Sequence, residues 1–284
     1  MASPKKRINP LLIALLVVVL LLVAVVGGAF AFLNNKVSAL QQGATFTFRY
    51  EITPNSAQTP PLLSILQRVN ASNGSVSGQY APDKLQLSFY ALNEDNSVQT
   101  SPFTRLYIDS DETLFDVGQI YSVLRQSATE KLPIAGALLP DWTLGDYISQ
   151  TQLATVLGVD TSAVELQDLS GFHLALTGLK KVSPSGAREG YLYFQLPAGA
   201  DGTTVILGID KSSIFSDTIP LHVVLTIPEH NVRVHLTGTI TAARTVLSAP
   251  ESRMQDSDVA AFAQIRQSLE SIWQMIQSVP QSTD

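Results

Sequence analysis

The sequence predicts an α+β protein: one N-terminal transmembrane helix, then a single domain of about ten mostly antiparallel strands, half-barrel-like or curved, covered by a few helices. Three observations predict it. Residues 10–33 carry no charge; polar and apolar side chains alternate in segment after segment from position 45 on; and residues 257–276 repeat apolar side chains at three- and four-residue spacing.

The first segment, PLLIALLVVVLLLVAVVGGAFAFL over residues 10–33, makes a helix of about 36 Å at about 1.5 Å per residue. The hydrocarbon core is about 30 Å thick, so the helix spans it with some tilt. Lys5, Lys6 and Arg7 precede the segment and only Lys36 follows closely. The positive-inside bias therefore places residues 1–9 in the cytoplasm and the remainder outside, as a single-pass cell-membrane protein. Ala29-Phe30-Ala31 fits a signal-peptidase pattern, but a signal core is only about 7–15 residues long, so the segment reads as a retained anchor. Ala24, Gly27, Gly28 and Ala31 are spaced as in close-packing helix pairs, a pattern also common in membrane helices generally. Residues 34–43 form a polar linker that reaches at most about 35 Å.

The extracytoplasmic domain is expected over 44–279, with a tail at 280–284. In Thr45-Phe46-Thr47-Phe48-Arg49-Tyr50-Glu51-Ile52 the even positions are apolar, the period of a half-buried strand. Pro54 ends it, and Pro60-Pro61 open a short helix bearing Leu62, Leu63, Leu66 and Val69. Strands are expected at 75–80, 85–91 (Leu85, Leu87 and Phe89 inward), 103–109 and 113–117. Short helices are expected at 119–127 and 151–157, the second closed by Gly158. Between them the uncharged, proline-bounded run 132–140 is suited to burial or to lining a groove.

The second half reads as a five-strand meander: 172–182, 190–196, 203–209, 219–227 and 232–240. Turn residues Pro184-Ser185-Gly186, Asp201-Gly202 and Pro228-Glu229-His230-Asn231 separate the strands. A four-residue final turn sets Ile227 opposite Val232 and Val223 opposite Leu236. One face then carries Leu221, Val223, Leu225, Ile227, Val232, Val234 and Leu236. The other carries His222, Val224, Thr226, Arg233, His235 and Thr237. The aliphatic face needs a cover. A helix after Ser257, with Val259, Phe262, Ile265, Leu269, Ile272, Trp273 and Ile276 on one side, is suited to supply it.

The chain has no cysteine, which excludes disulfides, thiolate metal sites, a cysteine nucleophile and cysteine-linked lipid. Of 18 Lys and Arg, four precede position 37, leaving 14 against 24 Asp and Glu. An acidic domain is a poor candidate for nucleic acid or for adsorption onto anionic lipid, since both need positive charge at the contact.

Catalytic signatures are sparse. There is no G-x-S-x-G, S-x-x-K, H-E-x-x-H, P-loop or G-x-G-x-x-G, so no catalytic, cofactor or metal residue is assigned and no cofactor is expected. His222 and His235 are diagonal neighbours about 7–8 Å apart, near enough to share a metal but without a third ligand. They are read as solvent-facing strand residues. His230 lies in a turn and His173 in a strand. The run 109–116 has the acidic spacing of a calcium loop. Leu114 occupies the required glycine position and Ile120 that of the bidentate glutamate, so it reads as a polar hairpin tip.

At the level of fold, the pattern of an apolar sheet under helices resembles the curved half-barrels of bacterial lipid-carrier lipoproteins, although their lipobox cysteine is missing. The resemblance implies an apolar cavity. The function expected is a non-catalytic, membrane-anchored binding or accessory domain for a hydrophobic ligand or an envelope protein partner. The alternatives are an ectoenzyme of the hydrolase type with a site assembled from scattered polar residues, and a structural subunit of an envelope complex. The lipid bilayer is the expected partner of residues 10–33.

Overall fold

The structure, a computed structural model, describes residues 42–60, 63–64, 67, 72–118, 122, 145–157, 180–198, 202–213, 216–261 and 263–264. The expected anchor at 10–33, most of the helix at 119–127, the apolar run 132–140, His173 and the helix after 264 lie outside the described residues. Among the described residues no helix is long and apolar enough to cross a membrane.

Among the described residues eleven strands form and their ladders are antiparallel: β1 (Ala44–Pro54), β2 (Asn73–Ala81), β3 (Lys84–Tyr90), β4 (Thr104–Ile108), β5 (Thr113–Asp116), β6 (Tyr147–Ser149), β7 (Lys180–Val182), β8 (Tyr191–Gln195), β9 (Thr204–Asp210), β10 (Thr218–Ile227) and β11 (Val232–Ala242). One short helix, α1 (Gln150–Leu157), follows β6. The described residues fall into two compact units, one of 42–111 and 180–248, the other of 112–157 and 249–264.

In the larger unit nine strands run in the order β4-β3-β2-β1-β11-β10-β9-β8-β7. β1 therefore lies between β2 and β11, near the middle of the sheet. It pairs with β11 along its whole length, from Ala44 opposite Ala242 to Pro54 opposite Val232. Its alternation decides the faces. Phe46, Phe48, Tyr50 and Ile52 are each at most 5% exposed, whereas Thr47, Arg49 and Glu51 are exposed. Three aromatic rings on this strand lie over cross-strand glycines. Phe46 covers Gly78, Tyr50 covers Gly74 and Phe48 covers Gly238; a Cβ would collide with the ring at Gly78, with the Tyr90 carbonyl and the Tyr50 phenol at Gly74, and first with the β1 backbone at Gly238. Aromatic cover of a strand glycine replaces packing that the glycine cannot supply.

The final hairpin has the expected register, with Ile227 opposite Val232 and Val223 opposite Leu236. All seven aliphatic side chains of its apolar face are at most 5% exposed. Burying each contributes about 1.5–3 kcal/mol relative to exposure. Its turn closes with Asn231 N–H donating to the Pro228 carbonyl at 3.0 Å, and Asn231 takes the left-handed conformation that asparagine tolerates, at φ 51°. The Asn231 side-chain amide also donates to Ser56 Oγ and the Gln58 carbonyl, tying this turn to the chain leaving β1.

In the smaller unit β5 pairs with β6, and Tyr147 bridges in parallel to Arg253. Arg253 makes a two-pronged ion pair with Glu112 at 2.9 and 2.6 Å. Strand β6 escapes the sequence pattern because three residues are too few to show a period. Residues 256–261 are helical, so this helix begins before Ser257. Gln255 occupies the N-terminal cap, its N–H donating to the Asp258 carboxylate at 3.2 Å. Val259 on this helix is buried, as its spacing predicts.

Thr113 is 1% exposed and its hydroxyl has no hydrogen-bond partner among the described residues. An unpaired buried hydroxyl costs about 1–3 kcal/mol. Thr113→Val, close in shape, is therefore expected to be neutral or to stabilise by up to about 1 kcal/mol, read as an unchanged or raised urea midpoint at constant slope.

Candidate functional site

A group of titratable side chains in mutual contact lies on the wet face of the sheet. Pairing across four strands sets Tyr193, Gly208, His222 and Thr237 in one row, because Tyr193 faces Gly208, Gly208 faces His222 and His222 faces Thr237. Gly208 makes the row possible. A Cβ there would collide with the Tyr193 ring, so glycine lets the phenol lie across β9 and reach β10. The Tyr193 hydroxyl then stands 3.0 Å from His222 Nδ1. The two rings meet edge to face, 5.9 Å between centroids.

The loop between β7 and β8 closes over this row. Gly186 and Gly190 turn it at φ 78° and 84°, conformations that glycine adopts without strain. Arg188 N–H donates to the Tyr193 oxygen at 2.9 Å. With that oxygen accepting from the backbone, the phenol O–H is free to donate to an unprotonated His222 Nδ1. The Arg188 guanidinium reaches further and donates to Thr237 Oγ1 at 3.1 Å. His235, diagonal to His222, lies nearly parallel to it with ring centroids 6.4 Å apart and faces Glu51 across β1.

The imidazoles are kept neutral at pH 7. Burial, then the Arg188 charge, then His235 push the His222 pKa down to about 4. Burial and the Arg233 charge also lower that of His235, against an opposing pull from Glu51. Both histidines are half-buried, whereas the sequence reading placed them facing solvent. The difference arises because Tyr193 and the 183–190 loop fold over them, an arrangement that depends on the β8–β9–β10 register.

A base with a pKa near 4 is poorly matched to proton abstraction near neutrality, and its Nδ1 is occupied by Tyr193. Among the described residues no three His, Asp or Glu side chains converge as a metal site. His230 is exposed in its turn. In the acidic run, Asp109 accepts from Tyr107 Oη and from Asp111 N–H. Asp116 accepts from Gly118 N–H at 3.2 Å. These carboxylates cap their own backbone, as a hairpin tip requires. Tyr193, Arg188 and Gly208 carry the cluster and were not singled out from the sequence. Their signal is the single glycine inside the β9 alternation, which marks a close approach.

The chain matches no protein-family model, and the search of curated proteins finds no similar sequence.

Two outcomes follow for this cluster. The unfolded chain binds a proton at His222 near pH 6.5 and the folded one only near pH 4. This contribution to stability is therefore complete above about 6.5 and is lost as pH falls toward 4. For a half-exposed group it amounts to about 1–2 kcal/mol, below the full shift. Denaturant midpoints between pH 7 and 4.5 should fall more steeply for the native chain than for His222→Gln. Gly208→Ala should displace the Tyr193 ring, cost about 1–3 kcal/mol by overpacking and move the His222 titration, followed by NMR, back toward 6.5.

Proposed function

We propose that this chain is a membrane-anchored, extracytoplasmic binding or accessory protein without catalytic chemistry of its own. The anchor is the uncharged segment 10–33, flanked by Lys5, Lys6 and Arg7 on one side. The binding element is the nine-stranded sheet, read as curved or half-barrel-like.

The observation that carries this reading is the two-sidedness of the sheet. From β4 to β9 one face is built of aliphatic and aromatic side chains alone apart from Thr104 and glycines, with Leu87, Phe89, Phe48, Leu236, Val223 and Leu207 at most 2% exposed on five of the strands. Such a face takes up apolar matter, whether the chain's own helices or a hydrophobic ligand held beneath them. The opposite face is wet, and its one titratable cluster is spent on holding a loop. A binding role suits that arrangement better than a hydrolase, whose nucleophile and base need free valences.

Protease added to intact cells should digest the domain after residue 43 and leave a membrane-held fragment containing 10–33. Protection in intact cells with digestion after lysis would overturn the topology. Native mass spectrometry of the gently extracted chain should show added mass from a copurifying lipid or protein. A bare chain mass in every preparation would count against the binding role.

A further inference from the structure

The wet face is basic, although the chain beyond position 36 is acidic. Alternation places Arg49 on β1, Lys84 on β3, Arg105 on β4, Lys180 on β7 and Arg233 on β11 on this face, where among the described residues the acidic strand residues are Glu51 and Asp210, with Asp109 just past β4 accepting from Tyr107. Arg188 joins them through Thr237, with Glu189 beside it in the loop. Six of the 14 cations beyond position 36 thus share one surface with two strand carboxylates of the 24 acids. Acidic side chains elsewhere, such as Asp83, Glu94, Asp95, Asp217 and Glu229, lie in turns and loops.

The remaining positions suit phosphate. They are mostly hydroxyl and amide side chains: Thr45, Thr47, Thr53, Ser77, Gln79, Gln86, Ser88, Thr239 and Thr241. Arg49, Arg105, Arg233 and Thr47 are exposed. Arg49 is the cross-strand partner of Thr237, to which Arg188 donates, so the two arginines share that threonine as a neighbour. Arg49 and Arg105 lie three strands apart, about 14 Å at the usual strand spacing. Charges spread on that scale meet several headgroups at once rather than a single bound ion.

We infer that this face docks on the anionic phospholipid surface of the membrane that holds the chain. The inference rests on the anchor reading. Residues 34–43 reach at most about 35 Å, so the tether keeps the face near a dense layer of headgroups and raises their effective concentration. Net charge argues against such docking only as an average, since one face alone makes the contact. The row of His222 and His235, neutral at pH 7, lies within this surface beside Arg188, Arg233, Arg49 and Glu51. Acidification that protonates either imidazole adds positive charge to it and strengthens docking.

Because the chain lacks cysteine, Thr47→Cys carries a single label on this face and Val246→Cys, at a position 94% exposed, a reference label. The labelled full chain is placed in nanodiscs of phosphatidylcholine with or without phosphatidylglycerol. Quenching by aqueous iodide is then read at 50 mM and 500 mM salt. The Thr47 label should be shielded several-fold in phosphatidylglycerol discs at low salt, and shielding should vanish at high salt. Each arginine removed should weaken docking about fivefold, so Arg49→Gln with Arg105→Gln should abolish most of it. Unchanged quenching in phosphatidylcholine discs would show that this variant is folded. Equal access to Thr47 in both lipids would overturn the proposal. So would shielding by soluble polyglutamate but not by lipid, which points to an acidic protein partner. A chain that fails to enter discs overturns the anchor reading instead. Added phosphatidylglycerol vesicles then test the face separately, and absence of salt-sensitive shielding there overturns it too.

Discussion

The pairing of β1 with β11 is the constraint on which the rest depends. It joins residues 44–54 to residues 232–242, closing a loop of nearly the whole domain. Closing so long a loop costs entropy that local contacts do not return. The return comes from the length of the ladder and from what β1 carries. Phe46, Phe48 and Tyr50 each lie over a glycine on a neighbouring strand, so both flanks of β1 are fixed by shape as well as by hydrogen bonds. A slip of one residue would turn these rings to water and expose the aliphatic face of β11.

That register also creates the wet face as a working surface. Rows of side chains cross several strands only because every pairing holds. Tyr193 reaches His222 over Gly208, and Arg188 reaches Thr237. The histidines are neutral at pH 7 because the same arrangement buries them partly and sets Arg188 and Arg233 beside them. Their role is to hold a loop down without adding charge. The cationic character of the face comes from arginines and lysines spaced along separate strands.

A two-faced sheet on a short tether joins the proposals into one picture. The apolar face is buried, and the proposed docking uses the basic face. In the proposed topology the anchor would bring the two chemistries, hydrocarbon and headgroup, to the same membrane.

Alternation of two residues per period is a local property, and the sequence by itself determined ten of the eleven strands, the inward set Leu85, Leu87 and Phe89, and the register of the β10–β11 hairpin. In each case a strand face or a short turn encodes the answer in neighbouring residues. The expectation of a β-rich, antiparallel fold with few helices rests on the same signal. Tertiary structure alone decided that β1 sits between β2 and β11, that β6 exists, and that Tyr193, Gly208 and His222 share a row. Those facts depend on which distant strands become neighbours, and strand order leaves no mark in a local period. The charge segregation was hidden for the same reason: Arg49, Arg105, Arg188 and Arg233 are scattered along 185 residues, and only the pairing order gathers them onto one face.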